Sequence, residues 1–143
     1  MRFMMIVKGN KDSEAGVLPS EELIAAMGKY NEEMAKAGVL LDLTGLHPTS
    51  RGALVKLSKG GKATVIDGPF SEAKEVIAGY WMIQVKSKED AIEWAKRVPA
   101  PPDAAEGDEG EIEIRQVFEL EEFGPSEAVD RARDLEKQLG KRD

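Results

Sequence analysis

The chain contains no cysteine. That excludes a disulfide frame, a thiolate nucleophile and a cysteine-based metal site. It contains one histidine, so a transition metal finds no ordinary ligand set and no metal site is expected. Long apolar runs are missing too. None approaches the roughly 20 residues of a membrane helix, and no membrane partner is expected. The start, Met1 to Val7, is too short for a signal peptide and lacks a small-residue cleavage site. It reads as a first strand, and cytoplasmic residence is the default expectation. Gly-x-Gly-x-x-Gly, the P-loop, Gly-x-Ser-x-Gly and any basic aromatic patch are all absent, so no cofactor is expected. Positive charge is in short supply. With 20 Lys and Arg against 27 Asp and Glu the net charge is −7, which disfavours a phosphate-tracking surface and nucleic acid as a partner.

What is present suits one globular domain. The 143 residues are 41% hydrophobic and 33% charged, enough apolar material for a core. Arg2 to Lys8 is a near-continuous apolar run, the mark of a central strand covered on both faces. Gly9 to Gly16 is polar and turn-rich and reads as a loop. Ser20 is an N-cap for a helix whose stripe is Leu23, Met27, Tyr30, Met34 and Ala37. Gly38 ends it.

Val39 to Leu46 reads as a strand. Ala53–Ser58 and Lys62–Asp67 flank Lys59-Gly60-Gly61 as a hairpin. Val76 to Val85 is the strongest strand pattern. Ser87 caps a second helix with stripe Ala91, Ala95 and Val98, and Asp90 at N3. Pro99 to Gly110 reads as a mobile surface loop. Glu111 to Glu119 alternates charged and apolar residues, as in a strand with one solvated face. Pro125 and Ser126 open a last helix with stripe Ala128, Ala132, Leu135 and Leu139.

The order predicts an α+β, ferredoxin-like β-α-β-β-α-β fold with an inserted hairpin and an extra C-terminal helix. Helices on one face of an open sheet leave the other face apolar. A second copy of the chain is the simplest cover, so a homodimer is expected.

Particular residues carry a resemblance. Gly45-Leu46-His47-Pro48 follows the second strand. Asp67-Gly68-Pro69-Phe70-Ser71-Glu72-Ala73-Lys74-Glu75 makes a corner, and Gly79-Tyr80 lies in the next strand. Ala91-Ile92-Glu93-Trp94-Ala95 and Ile112-Glu113-Ile114-Arg115 complete the set. With these the chain resembles the YCII-related, DGPF-domain proteins over about residues 1–123, with 124–143 as an appended helix. The resemblance implies a dimeric α+β barrel, two such sheets face to face around a cleft. It implies a largely uncharacterised family in which a His/Asp pair is proposed as a site in some members. One relative is linked to removal of chloride from a chlorinated aromatic. His47 stands where DGPF members often carry glutamine, so it does not match that histidine.

The candidate residues each carry two readings. Asp67 is either an Asx-turn residue, with Phe70 plugging the core, or a carboxylate at the mouth of the cleft acting as a base. Glu72, Lys74 and Glu75 are surface pairs or members of that cluster. His47, whose side-chain type titrates near neutrality, is a turn residue or an acid/base group. If the strands lie side by side, His47 and Asp67 approach one another. Tyr80, Trp81 and Met82 alternate faces, and Tyr80 either packs or contacts a ligand. Arg2 and Arg115 are solvated strand residues or clamps for a carboxylate.

Two functions follow as expectations. One is a cleft binding a small molecule, with cofactor-free isomerase or lyase chemistry carried by His47 and Asp67. The other is a non-enzymatic ligand-sensing or protein-interaction module.

Overall fold

The computed structural model describes residues 1–70, 75–101 and 110–140. Six strands and four helices follow in order. They are β1 (Arg2–Lys8), α1 (Lys11–Glu14), α2 (Glu21–Lys36), β2 (Leu40–Gly45), β3 (Ala53–Leu57), β4 (Ala63–Asp67), β5 (Ile77–Gln84), α3 (Lys88–Lys96), β6 (Ile112–Gln116) and α4 (Glu127–Gln138). Four strands form one sheet in the order β2-β5-β1-β6, and β3 and β4 form a separate ribbon. Every neighbouring pair in the sheet is antiparallel. β1-α2-β2 and β5-α3-β6 are two crossovers, each spanning a strand of the other. This is the ferredoxin-like α+β arrangement expected from the sequence.

Local chemistry explains the helix ends. Ser20, Ser87 and Ser126 each sit in extended conformation and accept the N–H three residues on, from Leu23, Asp90 and Val129. Each satisfies one of the donors a helix start leaves unpaired. Gly38 adopts φ of 76° just past α2, a conformation costly for residues with a β-carbon.

The core lies between the sheet and the pair α2 and α3. Phe3 and Met5 of β1 and Trp81 and Ile83 of β5 point the same way, because side chains alternate along a strand. They bury against Tyr30 and Met34 of α2 and Ala91 of α3. Met5, Met34, Ile83 and Ala91 are fully enclosed. Tyr30 stands edge-on to Trp81, with ring centres 5.5 Å apart, and donates its hydroxyl to the Trp94 carbonyl at 2.6 Å. Trp81 Nε1 donates to Asn31 Oδ1 at 2.7 Å. Both aromatic polar groups are thus satisfied. Burial pushes the Tyr30 hydroxyl up to about 12.

Three expectations change. The stretch from Gly9 to Gly16 contains the one-turn helix α1, because Asn10 and Ser13 cap each other reciprocally at its start. The face of α4 is rotated from the expected stripe. Val129 is buried and Ala132, Arg133 and Glu136 are half-buried, an i, i+3, i+4, i+7 set. Leu135 and Leu139 stay exposed. Phe70 is half-buried at the hairpin base beside Gly52 and lies outside the main core. Most of the loop expected over 99–110 lies outside the described residues, as do Glu72 and Lys74.

Tyr30→Phe is expected to destabilise the fold by about 0.5–1.5 kcal/mol, because it removes the hydroxyl's bond to the Trp94 carbonyl and leaves that oxygen only the Arg97 N–H. A shift of the urea midpoint at constant slope measures it.

Candidate functional site

The second strand delivers the chain into a corner built on backbone contacts. After β2 the segment Leu46-His47-Pro48 leads into a 3₁₀ turn, Thr49–Arg51. Its first residue is held from across the molecule. The Glu14 carboxylate accepts the Thr49 N–H at 2.8 Å and the Thr49 hydroxyl at 2.6 Å. These bonds favour the charged form and hold the Glu14 carboxyl below its ordinary value. Gly52 then accepts the Gly68 N–H at 3.1 Å. A β-carbon on Gly68 would overlap the Thr49 carbonyl, so only glycine lets the two segments approach this closely. The Gly68–Pro69 peptide is cis.

The Asp67-Gly68-Pro69-Phe70 block is therefore a clasp. Asp67 ends β4 opposite Ala53. Gly68 sits on the Thr49 turn, and Phe70 lies against Gly52 at the base of the hairpin. A similar close approach occurs at Gly79 of β5, where a β-carbon would lie 2.7 Å from the Thr44 carbonyl oxygen of β2.

His47 is exposed. Arg51, one turn on, places Nη1 at 3.4 Å from its Nδ1 and 3.3 Å from its Nε2. β2 belongs to the sheet and β4 to the ribbon, so the two strands do not run side by side. Among the described residues no hydrogen bond or ion pair joins His47 to Asp67. Asp67 is exposed as well. The residue that the sequence reading missed is Glu14. Its contact spans 35 residues, and no local pattern announces it.

The other candidates lie on the open face of the sheet. The register places Met4 beside Met82 and Arg115, and Ile6 beside Tyr80 and Glu113. On the other side of β5, Asp42 lies opposite Met82 and Thr44 opposite Tyr80. The face thus has an apolar centre, Met4-Ile6-Tyr80-Met82, and polar flanks on β2 and β6. The Tyr80 hydroxyl donates to Asp42 Oδ2 at 3.4 Å.

The two arginines already have carboxylate partners. Arg2 donates through Nε and Nη2 to the two oxygens of Glu119 at 3.0 and 3.1 Å. That forked bond holds its guanidinium more firmly charged, and Glu136 of α4 adds to the field. A bound carboxylate at Arg2 would have to displace Glu119. Arg115 lies 3.3 Å from Glu113, which Lys8 approaches at 3.2 Å from the other side. Lys8 and then Arg115 hold the Glu113 carboxyl below its ordinary range.

A separate groove of about 840 Å³ opens on the helix side, lined by Met1, Gly38, Gln84, Glu93, Trp94 and Arg97 among others. Arg97 stacks on Trp94 and pairs with Glu33. None of the expected site residues lines this groove. Arg97 and Glu93 on its wall are each paired with a neighbour, Glu33 and Lys96. Among the described residues no helix is long and apolar enough to cross a membrane.

Comparison with known proteins gives a family and no activity. The family model described as the YCII-related domain matches residues 1–121. An uncharacterised protein, R00369, from Rhizobium meliloti (strain 1021) is 36% identical over 75 residues, which is 52% of this chain and 56% of that protein. The alignment thus spans about half the length of each.

Acid is expected to loosen the corner. The stabilisation from Glu14 is complete above the ordinary glutamate pKa and is lost as pH falls through the depressed value in the folded chain. Exchange of the Thr49 amide is expected to rise on acidification relative to other amides. Glu14→Ala is expected to give fast exchange at every pH.

Proposed function

The chain belongs to the YCII-related family, and we propose that two copies pair through the open faces of their sheets around a cleft that binds a small molecule. The observation that carries this reading is the one-sided sheet. α2 and α3 both pack on the face of Phe3, Met5, Trp81 and Ile83. The opposite face carries Met4, Tyr80 and Met82, each only half-buried, beside Ile6, which is already buried. Water on such a face costs about 25 cal/mol per Å² of apolar surface, and an isologous partner removes that cost for both copies at once.

The cleft chemistry follows from the same residues. Methionines make an adaptable apolar wall. Tyr80 and Asp42 supply one directed polar contact. The ligand is a small, largely apolar molecule, aromatic or carrying one anionic group, because Arg2 and Arg115 flank the face. In its catalytic form the reaction is cofactor-free proton transfer, an isomerisation or elimination. His47 or Asp67 acts as base, and Arg2 or Arg115 holds the anionic group.

A second reading has its own support. Among the described residues no charged side chain is buried as a whole, and the carboxylate oxygen that is shielded, Glu136 Oε2 on α4, is not among the candidate acids and bases. A single copy leaves His47 and Asp67 exposed, unlike the desolvated groups that catalysis at neutral pH requires. That favours a ligand-binding or protein-interaction module without turnover, unless pairing desolvates the groups at the rim.

Met82→Glu is expected to convert a dimer into a monomer at micromolar concentration, measured by sedimentation equilibrium, with the far-UV spectrum unchanged. A wild-type chain that is monomeric under those conditions removes the proposal. For the catalytic form, a panel of small enolisable and halogenated aromatic acids is followed by proton NMR. Turnover by wild type is expected to fall at least 100-fold in His47→Ala/Asp67→Ala. Turnover that survives the double substitution rules both out as the base.

A further inference from the structure

The β3–β4 ribbon is the part of the molecule that its own domain leaves bare. Among the described residues the two strands pair only with each other, and all their residues are exposed. The register sets Val55 opposite Val65 and Leu57 opposite Ala63 on one face, with Leu54 opposite Ile66 on the other. Leu57 is 85% exposed, Val65 63% and Val55 57%. A lone two-stranded ribbon is marginal in water. One with apolar residues on both faces is a surface awaiting a partner.

Charge singles out the partner. From Ala53 to Asp67 the ribbon carries Lys56, Lys59 and Lys62 against the single acid Asp67, a net +2. With a total of −7, the remainder of the chain carries −9. The ribbon is a basic projection on an acidic protein, so another copy of that protein offers a complementary surface.

Geometry supports the same partner. The ribbon leaves the sheet where β2 ends and returns where β5 begins, so it extends from the sheet whose open face is proposed to pair. Five-residue strands at about 3.3 Å per residue make an arm about 17 Å long. Two sheets packed face to face are about 10 Å apart, so the arm is long enough to pass from one layer to the next.

We propose that the β3–β4 hairpin is an exchange arm that docks on the second copy, laying Val55, Leu57 and Val65 against it while the lysines meet its acidic groups. The proposal rests on the sheet-face dimer and adds a second contact to it. Two-fold symmetry makes the exchange reciprocal, each copy giving and receiving an arm.

The absence of cysteine permits a direct test on the full chain. Lys59→Cys carries one nitroxide label at the tip of the arm, and its electron spin resonance spectrum is recorded across a dilution series that spans the dimer dissociation. An immobilised label in the dimer that becomes mobile in the monomer is expected. In parallel, Val55→Glu/Val65→Glu is expected to raise the dimer dissociation constant at least tenfold by sedimentation. Circular dichroism should be unchanged, since both positions are exposed. Raising salt is expected to weaken the wild-type dimer more than Lys56→Glu/Lys59→Glu/Lys62→Glu, which lacks the attraction. A label mobile at every concentration, with an unchanged dissociation constant for the double variant, overturns the arm and leaves the sheet-face dimer standing. A label immobilised in the dilute monomer assigns the arm to its own chain and also overturns the proposal. Immobilisation only on adding vesicles of anionic lipid does the same in favour of a membrane surface. A wild-type chain monomeric throughout removes both the arm and the dimer it rests on.

Discussion

Side-chain alternation along the two central strands is the constraint on which the rest of the structure depends. β1 and β5 are flanked by strands on both sides, and each is apolar at nearly every position. Alternation therefore loads both faces with hydrophobic side chains. Phe3, Met5, Trp81 and Ile83 go under α2 and α3. Met4, Ile6, Tyr80 and Met82 go to the other face, with no choice in the matter. The helices follow because the first set must be covered. The functional question follows because Met4, Tyr80 and Met82 of the second set stay only half-buried while Ile6 is already covered.

The corner after β2 is the second constraint, and it changes what the Asp-Gly-Pro-Phe block means. Three segments meet there in four contacts: Glu14 on Thr49, Thr49 against Gly68, Gly68 on Gly52, and Gly52 under Phe70. The arrangement holds the roots of an exposed ribbon at two points. A residue in this block is accordingly constrained by packing before any chemistry is asked of it. Gly68 is the clearest instance, since a β-carbon there meets the Thr49 carbonyl. Asp67 and His47 border the clasp, both exposed and, among the described residues, without a bond between them. Their chemistry, where present, depends on what a partner or ligand brings to that rim.

The sequence was legible wherever the determining contacts are local. Ser20, Ser87 and Ser126 declare helix starts because a cap reaches only three residues. Gly60 and Gly61 declare the ribbon turn, with φ of 90° and 82°. The alternation of Tyr80, Trp81 and Met82 places each on its face, and the strand order follows from the two crossovers. The misses are contacts that jump along the chain or depend on orientation. The partners of Glu14 and Arg2 lie 35 and 117 residues away. The face of α4 was misread because apolar spacing favoured Ala128, Ala132, Leu135 and Leu139. The observed face includes Arg133 and Glu136 instead. Arg133 reaches Glu121 at 3.5 Å and Glu136 contributes to the field at Arg2.

Electrostatics also limits what the open face can recognise. Arg2 and Arg115 make the face look basic in sequence, but each is already opposed by a glutamate. Such partly exposed pairs contribute little to stability, so a ligand carboxylate can exchange with Glu113 or Glu119 at modest cost. What it gains is also modest in water and grows only when the site is dry, because Coulomb attraction strengthens as the local dielectric falls. A single sheet open to solvent cannot supply that dryness. Closing the face against a second sheet would exclude water from Met4, Tyr80 and Met82 and strengthen every polar contact at their edge. If two copies pair as proposed, pairing and ligand recognition become one requirement, since the surface that gains most from burial is the surface whose polar rim works only when buried.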